Sequence, residues 1–145
     1  MTAENPNHLR ITRRFDASPE RVFDAWIDPQ TARKWLFGSL ESHPDRRVEI
    51  DARVGGSWLM TNRWEGQELE GIGEYLEIDR PRRLAFTFAI PQFGPHFDRI
   101  VVEIVTDGTG CVLTLTHELL PPDYHSATES GWGKMFDLLA ATLAS

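Results

Sequence analysis

The sequence holds one cysteine, Cys111, in 145 residues. A lone thiol excludes an intramolecular disulfide framework and any multi-cysteine metal centre. Its strand-like surroundings make it a small buried hydrophobe. Positive charge is also short: 15 Lys and Arg face 22 Asp and Glu, a formal net charge of −7. That balance argues against a general nucleic-acid binder and offers no attraction to anionic membranes. No apolar run reaches membrane-spanning length. The stretch Met1–His8 is polar and has no apolar core of a secretory signal, so the cytoplasm is the expected compartment. The histidines at 8, 43, 96, 117 and 125 show no i, i+2 or i, i+4 pairing, and no metal site is expected. Gly71-x-Gly73 lacks a third glycine and lies within a strand pattern, and no serine sits in a G-x-S-x-G elbow, so neither a dinucleotide cofactor nor a hydrolase nucleophile is indicated.

What is present is an ordinary globular composition, 41% apolar and 26% charged, at a length that suits one domain with one core. Residues 1–7 read as a loose end and 8–145 as the domain. His8 to Asp16 alternates as a first strand, with Leu9, Ile11, Arg13 and Phe15 on one side. Ser18-Pro19-Glu20 is a compact helix start: an N-cap serine, proline at the first helical position and an acid in the first turn. Asp28-Pro29 repeats the signal, and a second short helix carries Ala32, Trp35 and Leu36. Phe37 to Arg46 is a loop. Strands are expected at about 47–53, 56–64, 69–79, 83–90, 98–106 and 111–119. They are separated by turn chemistry, of which Asp107-Gly108-Thr109-Gly110 is the clearest hairpin signal.

Alternation assigns faces. Leu84, Phe86 and Phe88 share one side, as do Ile100, Val102 and Ile104, and Leu113, Leu115 and His117. Trp58 and Met60 share a face with Trp64 if no bulge intervenes. Gly71 and Gly73 obscure the phase of 69–79. The chain closes with an amphipathic helix over 131–145, its face built by Trp132, Met135, Phe136, Leu139 and Leu143. One long helix must then cover the concave side of one large antiparallel sheet. Burial of those five side chains stabilises the domain by roughly 8–12 kcal/mol as an upper bound.

The order of strand, two short helices, six strands and long terminal helix resembles the α+β helix-grip fold of the START-like (SRPBCC) superfamily. In that fold a curved antiparallel sheet of about seven strands wraps the C-terminal helix. The segments ITRRFDASPERVFDAWIDPQTARKWL (11–36), DARVGGSW (51–58), GEYLEIDRPRRLAFTF (73–88), LTLTHELLP (113–121) and GWGKMFDLLAATL (131–143) resemble, in order, the family related to the activator of heat-shock protein 90 ATPase. The resemblance implies a cavity between terminal helix and sheet that accepts a small hydrophobic molecule. It does not imply one activity, because the superfamily includes lipid carriers, hormone receptors and polyketide cyclases. The eukaryotic chaperone activators carry a further N-terminal domain, for which this chain has no room; a chaperone partner is therefore not the favoured expectation. Compact domains of the family often associate, which allows a homodimer without any sequence feature that specifies one.

Five tryptophans and eight phenylalanines exceed the needs of an ordinary core. The aromatic candidates for a cavity lining are Trp35, Phe37, Trp58, Trp64, Phe86 and Phe88, with Phe93, Phe97, Trp132 and Phe136. The apolar candidates beside them are Met60, Val102, Ile104, Leu115, Met135 and Leu139. His117 is the one polar side chain on an otherwise apolar inward face. It suits a hydrogen bond to a ligand carbonyl, carboxylate or hydroxyl, or a structural bond to Glu118 or Tyr75. The loops 37–45 and 91–97 are candidate gates. His43-Pro44-Asp45 matches the tripeptide of all-helical J-domain co-chaperones but precedes a strand, where the match is a coincidence. Glu68, Glu70 and Glu74 read as a solvated face, and Arg80, Arg82 and Arg83 as a basic turn engaged in surface pairing.

Three functions compete. Binding of a small lipid-like or aromatic molecule fits an aromatic interior without a catalytic constellation. A cyclase- or hydrolase-type enzyme needs two titratable groups converging in the cavity, and the alternation supplies His117 alone. A co-chaperone needs a surface patch and no cavity.

Overall fold

The computed structural model describes residues 7–41, 43–94 and 96–144. Strand β1 (Leu9–Phe15) is followed by helices α1 (Pro19–Ile27) and α2 (Pro29–Ala32). Strands β2 (Val48–Ile50), β3 (Ser57–Trp64), β4 (Gln67–Asp79), β5 (Arg83–Phe88), β6 (Asp98–Asp107) and β7 (Gly110–Glu118) come next, and helix α3 (His125–Ala144) closes the chain. The seven strands form one antiparallel sheet in the order β1-β7-β6-β5-β4-β3-β2. The first two strands thus lie at opposite edges, and α1, α2 and the loop after them carry the chain between those edges. Of the expected loose end, only Asn7 is among the described residues, and its carbonyl accepts from Leu120 N.

The helix starts are the ones the sequence encodes. Ser18 Oγ accepts from Arg21 N, and Asp28 accepts from Gln30 N through its carboxylate, each with proline at the first helical turn. Trp35 and Leu36 fall just beyond α2 in a run of turns, yet both are buried. The turn Glu65-Gly66 has φ of 52° and 80° at its two central residues, the geometry of a tight hairpin, and Gly108 at φ 60° serves the β6–β7 hairpin.

Several boundaries differ from expectation, and the strand expected at about 47–53 spans only Val48–Ile50. The terminal helix begins at His125, six residues before Gly131. The stretch His125–Ser130 carries no apolar periodicity because it runs past the core, and the helix continues through Gly131 and Gly133. The strand expected over 83–90 ends at Phe88, with Ala89 held to Ile72 by an isolated bridge. Between those points the β4–β5 ladder is open. Trp58 Nε1 donates to Thr87 O at 3.2 Å across the gap, and Glu74 N donates to Thr87 Oγ1. The β4 irregularity is a shift between Tyr75 and Glu77, beyond the glycines.

The core fills one half of the space between sheet and α3. Trp26 of α1 meets Trp35 edge-on at 4.7 Å and lies 5.9 Å from Trp132 and 6.1 Å from Phe86. Cys111 is fully buried, and burial pushes its thiol above the ordinary value. The basic turn is engaged as expected: Arg80 grips Asp24 through two bonds, Arg82 reaches Asp79, and Arg83 bridges Glu77 and Glu103.

Candidate functional site

A cavity of about 600 Å³ opens between α3 and the end of the sheet where β5, β6 and β7 meet the loops. Three local features build it. Leu119, at φ 56°, turns the chain out of β7 and sets Leu120 and Tyr124 at the mouth. Pro91–Phe93 forms a short 3-10 turn that brings Phe93 to the opposite rim. Phe37, at φ 54°, enters from the loop after α2 and stacks on Phe88 at 4.5 Å with the ring planes 3° apart. The Phe37 amide donates to Met135 Sδ of α3 at 3.2 Å. A second space of about 270 Å³ adjoins the first and shares Phe37, Phe88, Ile90 and Met135 with it.

The polar end is built on β6 and β7. Ile100 pairs with His117 across the ladder, so Asp98, two residues along β6, lies diagonally beside His117 on the same face. His117 Nε2 lies 2.9 Å from Asp98 Oδ2, and His96 Nε2 lies 2.9 Å from Asp98 Oδ1. On its other side His117 Nδ1 is 3.4 Å from Trp132 Nε1. An indole N–H only donates, so Nδ1 carries a lone pair and the imidazole proton sits on Nε2, donated to Asp98. Burial pushes the Asp98 carboxyl upward, but the hydrogen bond and proximity of His117, with those of His96, outweigh it and leave Asp98 below the ordinary carboxylate value.

The candidate lining residues separate into four groups. Phe37, Phe88, Phe93, His117, Trp132 and Met135 line the cavity. Met60 lines the adjoining space. Trp35, Trp58, Phe86, Val102, Ile104 and Leu115 are packed in the core, as are Phe136 and Leu139. Period-2 alternation marks a side chain as inward but not whether a neighbour fills the space above it, and α1 and α2 fill it there. Trp64 and Phe97 are 53% and 51% exposed. Trp64 keeps the parity of Trp58 and Met60, but it sits at the tip of the β3–β4 hairpin, edge-on to Phe93 at 6.1 Å. Phe97 lies instead on a groove of the opposite sheet face with Leu59, Ile72 and Thr87.

His117 is held by Asp98, whereas Glu118 turns outward to Arg99 and Tyr75 packs against Phe86. Asp98 was legible: the alternation that turns Ile100, Val102 and Ile104 inward also turns Asp98 inward. Ala89, Ile90, Leu120, Tyr124, Thr128 and Gly131 complete much of the wall and carried no comparable signal.

The loop bearing Phe37 is fixed from beneath by Arg46, a buried cation that the sequence did not mark. Its guanidinium donates to three backbone carbonyls, Thr61 O at 3.0 Å, Arg33 O at 3.0 Å and Leu36 O at 2.8 Å. Burial, with the nearby Arg33 charge second, pushes its pKa down to about 10. His43 is buried in the same loop, with Nε2 2.8 Å from Glu68 Oε1. Glu68 is therefore more than a solvated acid. The His43-Pro44-Asp45 tripeptide lies between α2 and β2, not between long helices.

Sheet, gripping helix and interposed cavity define a helix-grip protein of the START-like class, a fold that typically binds hydrophobic ligands. The sequence profile described as Activator of Hsp90 ATPase homolog 1-like protein matches residues 16–144, and the chain belongs to that family. Protein CV1439 from Chromobacterium violaceum is 30% identical with a TM-score of 0.83, over 97% of this chain and 99% of that one. Mll3558 from Rhizobium loti is 28% identical with a TM-score of 0.75, over 94% of this chain and 96% of its own. SA2116 from Staphylococcus aureus, titled a protein of unknown function, shares the fold with a TM-score of 0.83 at 21% identity, over 94% and 93% of the two chains. No curated protein sequence matches the chain. Among the described residues no helix is long and apolar enough to cross a membrane.

Proposed function

We propose that this protein binds a small, predominantly apolar molecule in the cavity beneath α3, with the polar group of that molecule at Asp98 and His117. The observation that carries the reading is the division of the cavity wall. Phe37, Phe88, Ile90, Phe93, Leu120 and Met135 make most of it apolar, and His96, Asp98 and His117 form one polar cluster within it. About 600 Å³ is ample for a compact metabolite or a medium-chain lipid-like molecule.

The His117–Asp98 contact is also the first half of an acid–base pair. An enzyme reading is weakened by the engagement of both ring nitrogens, one by Asp98 and one by Trp132, which leaves neither to take a proton from a substrate. The same bonds suit a fixed polar anchor.

Mass spectrometry of the gently purified protein, native and then denatured, tests the proposal. Extra mass that leaves on denaturation supports it and identifies the ligand class. A clean apo mass, together with tryptophan fluorescence that ignores a panel of fatty acids, amines and aromatic metabolites, would sink it and shift weight to an interaction role.

A further inference from the structure

We infer that the ligand of this cavity is an organic cation, an ammonium group carried on an apolar body, and that Asp98 receives it. The inference rests on the binding role proposed above and specifies its ligand.

Three observations lead to it. First, among the described residues that line the cavity there is no lysine and no arginine. The element-by-element inventory of titratable groups is short. Asp98 comes from β6, His117 from β7, His96 from the preceding loop and Tyr124 from the turn before α3, while β5 and α3 present none. A site for a fatty acid or another carboxylate would bury an anion beside Asp98 with no fixed cation to meet it, and burial of an unpaired charge is strongly unfavourable.

Second, the carboxylate keeps acceptor capacity toward the cavity. The Trp132 indole can only donate, so the His117 nitrogen it faces accepts, and His117 meets Asp98 through its other ring nitrogen alone. His96 also reaches Asp98, but from the rim, where its side chain is 75% exposed and is free to be displaced by an arriving donor. A carboxylate offers about four acceptor sites, and the two imidazoles use two of them. Room remains for the N–H groups of an ammonium.

Third, the walls next to the carboxylate are aromatic. Phe88, Phe93, Tyr124 and Trp132 line the same cavity as Asp98, and ring faces attract cations while excluding anions. The formal charge of −7 on the whole chain acts in the same direction during approach.

The test uses three probes with one chain and different heads, decylamine, decanol and decanoate, titrated against the full-length protein at mildly alkaline pH with Trp fluorescence and calorimetry. The expected order is amine, then alcohol, then acid, with amine and acid separated by at least about tenfold in Kd. Asp98→Asn should remove that preference. Thr128→Lys, which sets a cation on the cavity side of α3 without touching Asp98, should strengthen decanoate and weaken decylamine even if the Asp98 variant folds poorly. Decanoate binding as tightly as decylamine, or a preference that survives in Asp98→Asn, overturns the cation assignment and leaves the cavity reading intact. Failure of all three probes to bind overturns the cavity reading and the assignment with it.

Discussion

Trp58 occupies the place where Gly73 would otherwise carry a side chain. A Cβ built at Gly73 would sit 2.4 Å from Trp58 Nε1 and 1.8 Å from Thr87 O. The second of those atoms is backbone, so no rotamer change relieves the clash. Gly73→Ala is expected to cost roughly 2–4 kcal/mol by forcing β4 away from β5. Gly71→Ala meets Phe88 at 3.3 Å, Trp58 at 3.4 Å and Met60 O at 3.6 Å, none of them a severe overlap, and should cost less than half as much. Urea unfolding of the two variants gives the comparison; equal costs would show that the Trp58 insertion does not govern this part of the sheet.

Arg46 governs the neighbouring loop in a different way. Three carbonyls converge on its guanidinium, and one belongs to Leu36, the residue before Phe37. Arg46→Met keeps the stem but leaves those carbonyls unpaired, and should cost about 3–5 kcal/mol. Arg46→Lys should recover little, because an ammonium lacks the planar spread that reaches three acceptors in different directions. Hydrogen exchange ought to rise first around residues 37–46 in both variants. Exchange that rises uniformly over the sheet instead would count against a local clamp.

These two residues mark where the sequence could be read and where it could not. The caps at Ser18 and Asp28, the hairpins, and the inward set Leu84, Phe86, Ile100, Val102, Leu113 and Leu115 follow from local chemistry and period-2 alternation. Gly73 only obscured a strand phase, because its reason for being glycine is an indole from another strand. Nothing in the sequence sets Arg46 apart from its neighbour Arg47, since the three carbonyls come from the α2–β2 connection and from β3 and converge only in the fold. The cavity was legible as an aromatic surplus, but its position at one end required knowing that Trp26 and Trp35 fill the other.

Phe37 separates the two spaces beneath α3. Its ring borders both the 600 Å³ cavity and the adjoining 270 Å³ space, and lies parallel to Phe88 and Trp58 within 10°. Phe37→Ala should join the spaces and admit apolar probes several carbons longer than the wild type accepts. Its stability cost is expected near 2–3 kcal/mol, below that of a fully buried phenylalanine, because the side chain is half-buried. A series of alkyl probes of rising length provides the readout. An unchanged length limit in the variant would mean that Phe37 is wall but not partition.

Asp98 also gives the fold a defined acid response. Its carboxyl is held below the ordinary value, burial opposing and the His117 and His96 contacts prevailing, so the folded state binds its proton more weakly than the unfolded chain does. The associated stability is complete above the unfolded carboxylate value of about 4 and is lost as pH falls through the lower folded value. Unfolding free energies of the wild type and Asp98→Asn should therefore differ by a constant amount from neutral pH down to about pH 5, then converge in more acidic solution. The convergence is the diagnostic: a merely steric effect of the substitution would offset the two curves equally at every pH. Convergence that begins near neutral pH would instead place the titrating proton on an imidazole.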